Sequence, residues 1–158
     1  MKNLIILFAI TLSITSCGSG NQNEGESNSS KELSVSNANN IESYLAIKDA
    51  LVATNASEAS KAAKAFMTKN EDDQLSSSLE QIANAQDVKE QRAAFETLSM
   101  KMYEIMKASE GEMILYKQYC PMAFNNKGAF WLAAEKEVNN PYFGDLMLHC
   151  GSVQETIN

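Results

Sequence analysis

Five side chains near the C-terminal end of this sequence carry soft-donor chemistry: Cys120, Met122, Met147, His149 and Cys150. Thiolate and thioether sulfur suit Cu(I), and imidazole suits several transition metals. They fall in two short clusters, Cys120-Pro121-Met122 and Met147-Leu148-His149-Cys150. Residues two apart in an extended stretch point the same way. Cys120 and Met122 are therefore expected on one side, and Met147 with His149 on another. If the intervening chain folds back, the two clusters meet in a soft-metal site. The cysteines also admit a second reading. They lie 30 residues apart, and in an oxidising compartment a disulfide between them contributes about 3–4 kcal/mol in the chain-entropy model. That bond would withdraw both thiolates and leave Met122, Met147 and His149 as a weaker site. Metal site, disulfide and a redox-coupled exchange between them all stay open at this point.

Other chemistry is poorly served. The single histidine sits next to Cys150, a separation that aims side chains apart, and no acid partner has an evident position. The cysteines do not form the C-x-x-C of a thiol oxidoreductase, and no phosphate loop or paired-carboxylate motif is present. No enzymatic activity is expected. Acidic residues outnumber basic ones 20 to 13 in 158 residues, a net charge of −7. That excludes a nucleic-acid surface and raises the local concentration of cations within about 8 Å at physiological salt.

The elements that must position these residues read as helices. Ile41, Tyr44, Leu45, Lys48, Leu51 and Val52 recur at helical spacing. Asn55 with Glu58 forms a capping box before a second stripe, Ala59, Ala62, Ala63, Phe66 and Met67. Leu75, Leu79, Ile82 and Ala83 mark a third helix. Asp87 with Glu90 opens a long fourth one through Val88, Phe95, Leu98, Met102, Ile105 and Met106, with Gly111 as its stop. The methionines 67, 100, 102 and 106 read as core or near-core fillers. Glu71-Asp72-Asp73 reads as a solvated turn. Short polar connections imply an all-α fold, an antiparallel up-and-down helical bundle over residues 41–158, with an irregular C-terminal segment, 116–151, packed on it. That segment holds both prolines, the only Trp and the only His. Asn125-Asn126-Lys127-Gly128 and Asn139-Asn140-Pro141 read as turns, and Ala129 to Val138 as a short helix or an irregular stretch. Tyr119, Phe130, Trp131, Tyr142 and Phe143 read mostly as the core of this segment.

Leu4 to Ile14 is almost wholly apolar but too short for a bilayer span, which needs about twenty residues. It fits the hydrophobic region of a signal peptide over residues 1–16. Ile14-Thr15-Ser16-Cys17 resembles a bacterial lipobox, which implies cleavage before Cys17 and lipidation of that residue. The expected location is the cell envelope, anchored to a membrane by this lipid, on the outer rather than the inner membrane, with the domain in the periplasm. Residues 17–40 are then the lipidated cysteine and a flexible tether. Only Leu33, Val35 and Ala38 are apolar from Gly18 to Asn40, too few to offset the entropy of ordering the segment.

Tyr119-Cys120-Pro121-Met122, Gly128-Ala129-Phe130-Trp131-Leu132, Glu137-Val138-Asn139-Asn140-Pro141-Tyr142-Phe143-Gly144 and Met147-Leu148-His149-Cys150-Gly151 stand in this order. Together they resemble a family of bacterial periplasmic and lipoprotein domains of unknown function, with motifs close to YCPM, GAYWLS, NPYYG and MxxCG. Phe130 and Ala133 stand where Tyr and Ser are common, and His149 is not a fixed part of that pattern. The family also occurs fused to the periplasmic adaptors of copper and silver efflux pumps. The resemblance therefore implies copper as the bound ion and a heavy-metal efflux adaptor as a partner. A disulfide-stapled interaction module that binds no metal is the alternative.

Overall fold

The computed structural model describes residues 24–109 and 113–158. The expected signal peptide, Cys17 and the start of the tether lie outside the described residues, as does Gly111. Four helices come first: α1 (Glu24–Val52), α2 (Ala56–Met67), α3 (Asp73–Asn84) and α4 (Val88–Ala108). Three strands follow, β1 (Leu115–Cys120), β2 (Ala129–Ala133) and β3 (Ser152–Ile157), in one antiparallel sheet of order β2-β1-β3.

The sheet corrects the all-α expectation. Where an irregular segment was expected on the bundle, β1 and β2 form an antiparallel pair and β3 returns to the free edge of β1. The local pattern is silent here for a physical reason. Ala129-Phe130-Trp131-Leu132-Ala133 is a short continuous apolar run, which carries no period to separate strand from helix. Its aromatic residues favour a pleated surface, but the decisive hydrogen bonds come from β1, nine or more residues away.

The helices follow their stripes. Ile41, Tyr44, Ile47 and Leu51 of α1, Phe66 of α2, Leu75, Leu79 and Ile82 of α3, and Phe95, Leu98 and Met102 of α4 are fully buried. Each such side chain contributes about 1.5–3 kcal/mol relative to exposure. Helices adjacent in sequence pack on one another, and α1 also packs on α4. The caps are as expected in one direction: Asn55 Oδ1 accepts from Glu58 N–H at 3.0 Å, and Asp87 Oδ1 from Glu90 N–H at 2.9 Å. Asp72 of the acidic turn caps α3 by accepting from Gln74 N–H. The stripe methionines divide: Met102 and Met106 are buried, whereas Met67 and Met100 reach solvent. Helix α1 begins at Glu24 and so runs through much of the segment expected to be a tether. On it Val35 is exposed, and Asn37 and Asn40 are buried. Among the described residues, no helix is long and apolar enough to cross a membrane.

Polar contacts at both edges tie the sheet to the bundle. The Tyr44 hydroxyl accepts from Leu132 N–H of β2 at 3.0 Å and lies 2.8 Å from Ser99 Oγ of α4, while its ring stacks on Phe95 at 5.0 Å. Burial holds the Tyr44 hydroxyl protonated at all physiological pH. Lys48, whose side chain is 3% exposed, pairs with Glu135 just beyond β2 and with Asp49 at 2.8 Å. At the other edge Tyr103 and Lys107 of α4 donate to Glu155 of β3 at 2.7 and 2.8 Å.

Removing one partner of a buried pair leaves an uncompensated charge. Glu135→Ala is expected to cost about 1–3 kcal/mol in urea denaturation, and adding Lys48→Met to it is expected to recover part of that loss. The bonds from Lys107 and Tyr103 lower the Glu155 carboxyl below its ordinary value of 4.5. A carboxyl depressed in the folded state stabilises above its unfolded value and loses that contribution as pH falls through the folded one. Stability is therefore expected to fall on acidification below about pH 4.5, and Glu155→Gln to flatten that part of the curve.

Candidate functional site

The sheet register assembles the cysteine pair. Cys120 is the last residue of β1, and Tyr119 stands opposite Ser152, the first residue of β3. Cys150, two residues before β3, thus arrives beside Cys120, and the sulfurs lie 2.8 Å apart as free thiols. Cys120 is fully buried and Cys150 half-buried. The approach at Gly151 is close: its φ is +142°, and a Cβ there would stand 2.8 Å from Tyr119 O and 3.2 Å from Trp131 Cη2.

The other expected donors are placed less simply. Pro121-Met122 is a turn, not a continuation of β1, so Cys120 points into the core while Met122 is exposed. The same-side expectation for this pair fails because the strand ends between them. Met122 and Met147 instead line a common cleft with Lys89, Arg92, Phe124 and Tyr142. His149 is exposed, and its Nδ1 lies 2.8 Å from Val138 O. It does not join Met147 on the wall of that cleft. Among the described residues, no three His, Cys, Asp or Glu side chains converge. The donors that the fold brings together are the two thiols, while Met122 and Met147 line the cleft.

Asn140 holds this arrangement. It is fully buried, and all four of its polar groups are satisfied, its backbone O accepting from Gly144 N–H at 2.9 Å. Its backbone N–H donates to Leu148 O at 2.8 Å, its Nδ2 to Cys150 O at 2.8 Å, and its Oδ1 accepts from Tyr142 N–H at 2.8 Å. Arg92 of α4 grips the next residue, its Nε donating to Pro141 O at 2.7 Å. Its Nη2 reaches Leu51 O and Thr54 Oγ1, both at 3.1 Å. Tyr142 then inserts among Phe95, Phe124 and Trp131, and donates its hydroxyl to Phe130 O at 2.6 Å. Trp131 and Tyr142 are buried, as the aromatic-core expectation has it, whereas Tyr119, Phe130 and Phe143 are half-buried.

The Cys150 thiol is raised above its ordinary value by its hydrogen bond to the Cys120 sulfur, by burial and by the charge Cys120 would carry. The Met122 backbone N–H opposes this by favouring the thiolate. Burial also keeps the Tyr142 hydroxyl protonated.

Residues with no motif signature complete the site. Lys48 stood on the apolar stripe of α1, a buried position that was itself a sign of a required partner. Arg92 carried no such sign, because nothing in α4 marks it as the residue that meets Pro141.

Residues 41–113 match the model of a family described as a protein of unknown function (DUF3347). The match covers the helices from within α1 to α4 and stops before the sulfur-bearing segment. No curated protein and no solved structure matches the chain.

Asn140→Ala leaves Cys150 O and Tyr142 N–H without their side-chain partners. Each buried group so orphaned costs about 1–3 kcal/mol. The variant is expected to lose about 2–4 kcal/mol in chemical denaturation. Its Cys150 is expected to react faster with an aromatic disulfide reagent than the wild-type thiol does.

Proposed function

We propose that this chain is an envelope lipoprotein whose folded domain binds a soft transition metal ion, Cu(I), for buffering or for delivery to an efflux system. The observation that carries the reading is the meeting of Cys120 and Cys150, 30 residues apart in sequence, with sulfurs 2.8 Å apart. Thiolate sulfur is a soft donor that suits Cu(I). The fit requires one adjustment. Two thiolates at about 2.3 Å from one ion in tetrahedral geometry stand about 3.8 Å apart. The pair must therefore open by about 1 Å, and Cys150, half-buried on a turn, is the side that can yield. Two thiolates and Cu(I) together carry one negative charge.

The resemblance of the 119–151 motifs to domains fused to copper and silver efflux adaptors supports copper as the ion and such an adaptor as the recipient. The lipobox-like Ile14-Thr15-Ser16-Cys17 supports lipid anchorage, with the outer membrane favoured because no acidic residue directly follows Cys17.

The same short distance favours a second reading, a disulfide-stapled interaction module. On oxidation both thiol protons and two electrons pass to an external disulfide, and the new bond closes a loop that contributes about 3–4 kcal/mol.

Thiol titration before and after reduction, then competition for Cu(I) against a chromogenic chelator, separates the two. The reduced chain is expected to retain one Cu(I), and Cys120→Ser with Cys150→Ser to lose it. Emission of the only tryptophan, Trp131, which packs on Gly151 beside Cys150, is expected to change on binding. No copper retained by the reduced chain would overturn the metal reading, and a Cys120–Cys150 disulfide that resists reduction in the native state would favour the staple.

A further inference from the structure

The cleft beside the thiol pair has features that metal binding does not use. It measures about 470 Å³ and is lined by Lys89, Arg92, Met122, Phe124, Tyr142 and Met147 among others. That volume lies within the range of small-molecule sites. Its composition is that of an amphipathic ligand site, with apolar walls and a few convergent polar groups.

Lys89 and Arg92 are three apart on α4 and so share one helix face. Among the described residues, the hydrogen bonds of Arg92 run through Nε and Nη2, which leaves Nη1 for a ligand. Partial burial lowers Arg92 from its ordinary value, and the nearby Asp145 charge opposes that shift. Two positive charges thus meet one negative charge, and the cleft carries a net deficit that a single anionic group fills. A planar carboxylate matches a guanidinium edge better than a point charge does.

The opposite wall is built from an uncommon backbone. Phe124, Asn125 and Asn126 all have positive φ, at 52°, 58° and 67°. Asparagine accepts this region readily, but for a bulky residue such as Phe it is a true outlier. Strain of this kind persists where surrounding contacts impose it, and it gathers at ligand clamps. Here it turns the Phe124 ring onto Tyr142, edge-on at 5.2 Å. Thioether and aromatic edges together make a favourable wall for an apolar ring.

From these features we infer that the cleft between α4 and the 122–126 turn binds a small monocarboxylate with an aromatic or branched apolar body. The carboxylate sits on Arg92 Nη1 and Lys89, and the body on Phe124, Tyr142 and the two methionines. This site is separate from the thiol pair and needs no metal.

Benzoate is the probe, with benzamide as its neutral counterpart. The full chain, isotope-labelled, reduced and metal-free, is titrated with each and followed by amide chemical shifts. Benzoate is expected to give saturable shifts confined to residues 89–92, 122–126 and 142–147, and to bind about tenfold more tightly than benzamide, as a hydrogen bond to a charged group implies. Lys89→Glu, which puts an acid in the first turn of α4 where the helix dipole welcomes it, is expected to keep the fold and weaken benzoate about fivefold. Shifts that do not saturate, equal binding of benzamide, or undiminished binding by the variant would each overturn the inference. None of these outcomes bears on the copper titration, which reads the thiols.

Discussion

The C-terminal third of this domain depends on burying one asparagine with every polar group satisfied. Asn140 sits where the chain leaves the sheet and must find its way back to it. An unpaired amide at such a position costs about 1–3 kcal/mol, so the loop adopts the one path on which Leu148, Cys150 and Tyr142 supply the partners. The proline that follows removes a donor and narrows the backbone before it. The path of the loop determines where Cys150 lies, and with it the distance between the two sulfurs.

That loop is fastened to the bundle as well as to itself. Arg92 carries the end of α1 and the Pro141 carbonyl on one guanidinium, and Gly144 lies so close to Thr54 and Arg92 that a Cβ there would meet both. Tyr142 joins the loop to β2 through Phe130 O and to α4 through Phe95. Helices and sheet therefore share one core. The family match to 41–113 covers only part of it, and the strands and loop that follow are packed against those helices through Tyr44, Lys48 and Phe95.

The helices were legible because their information is local. A stripe at a period of 3.6 and a cap three residues away are enough to place α2, α3 and α4 within a few residues. The strands were not legible for the opposite reason. Nothing in Tyr116-Lys117-Gln118-Tyr119-Cys120 states that Val153 and Trp131 will flank Gln118, because strand pairing is a long-range term. The turns at Asn125-Asn126 and Asn140-Pro141 were visible from residue type. What they accomplish, a left-handed wall in one case and a buried clamp in the other, was not. The same limit explains the donor set. The spacing of Cys120 and Met122 implied a shared side only if the strand continued, and Pro121 ended it.

The geometry of the sulfur pair also bears on how the two readings relate. At 2.8 Å the thiols are closer than two ligands of one tetrahedral ion and farther than a covalent pair. Either product requires a displacement of about 1 Å, in opposite senses. Cys120 is anchored in β1 and fully buried, so the displacement falls on Cys150, whose carbonyl is held by Asn140. A bond between the sulfurs draws Cys150 toward the core. An ion between them pushes it outward against that hydrogen bond. Under either reading the displacement of Cys150 is therefore felt at the Asn140 hydrogen bond.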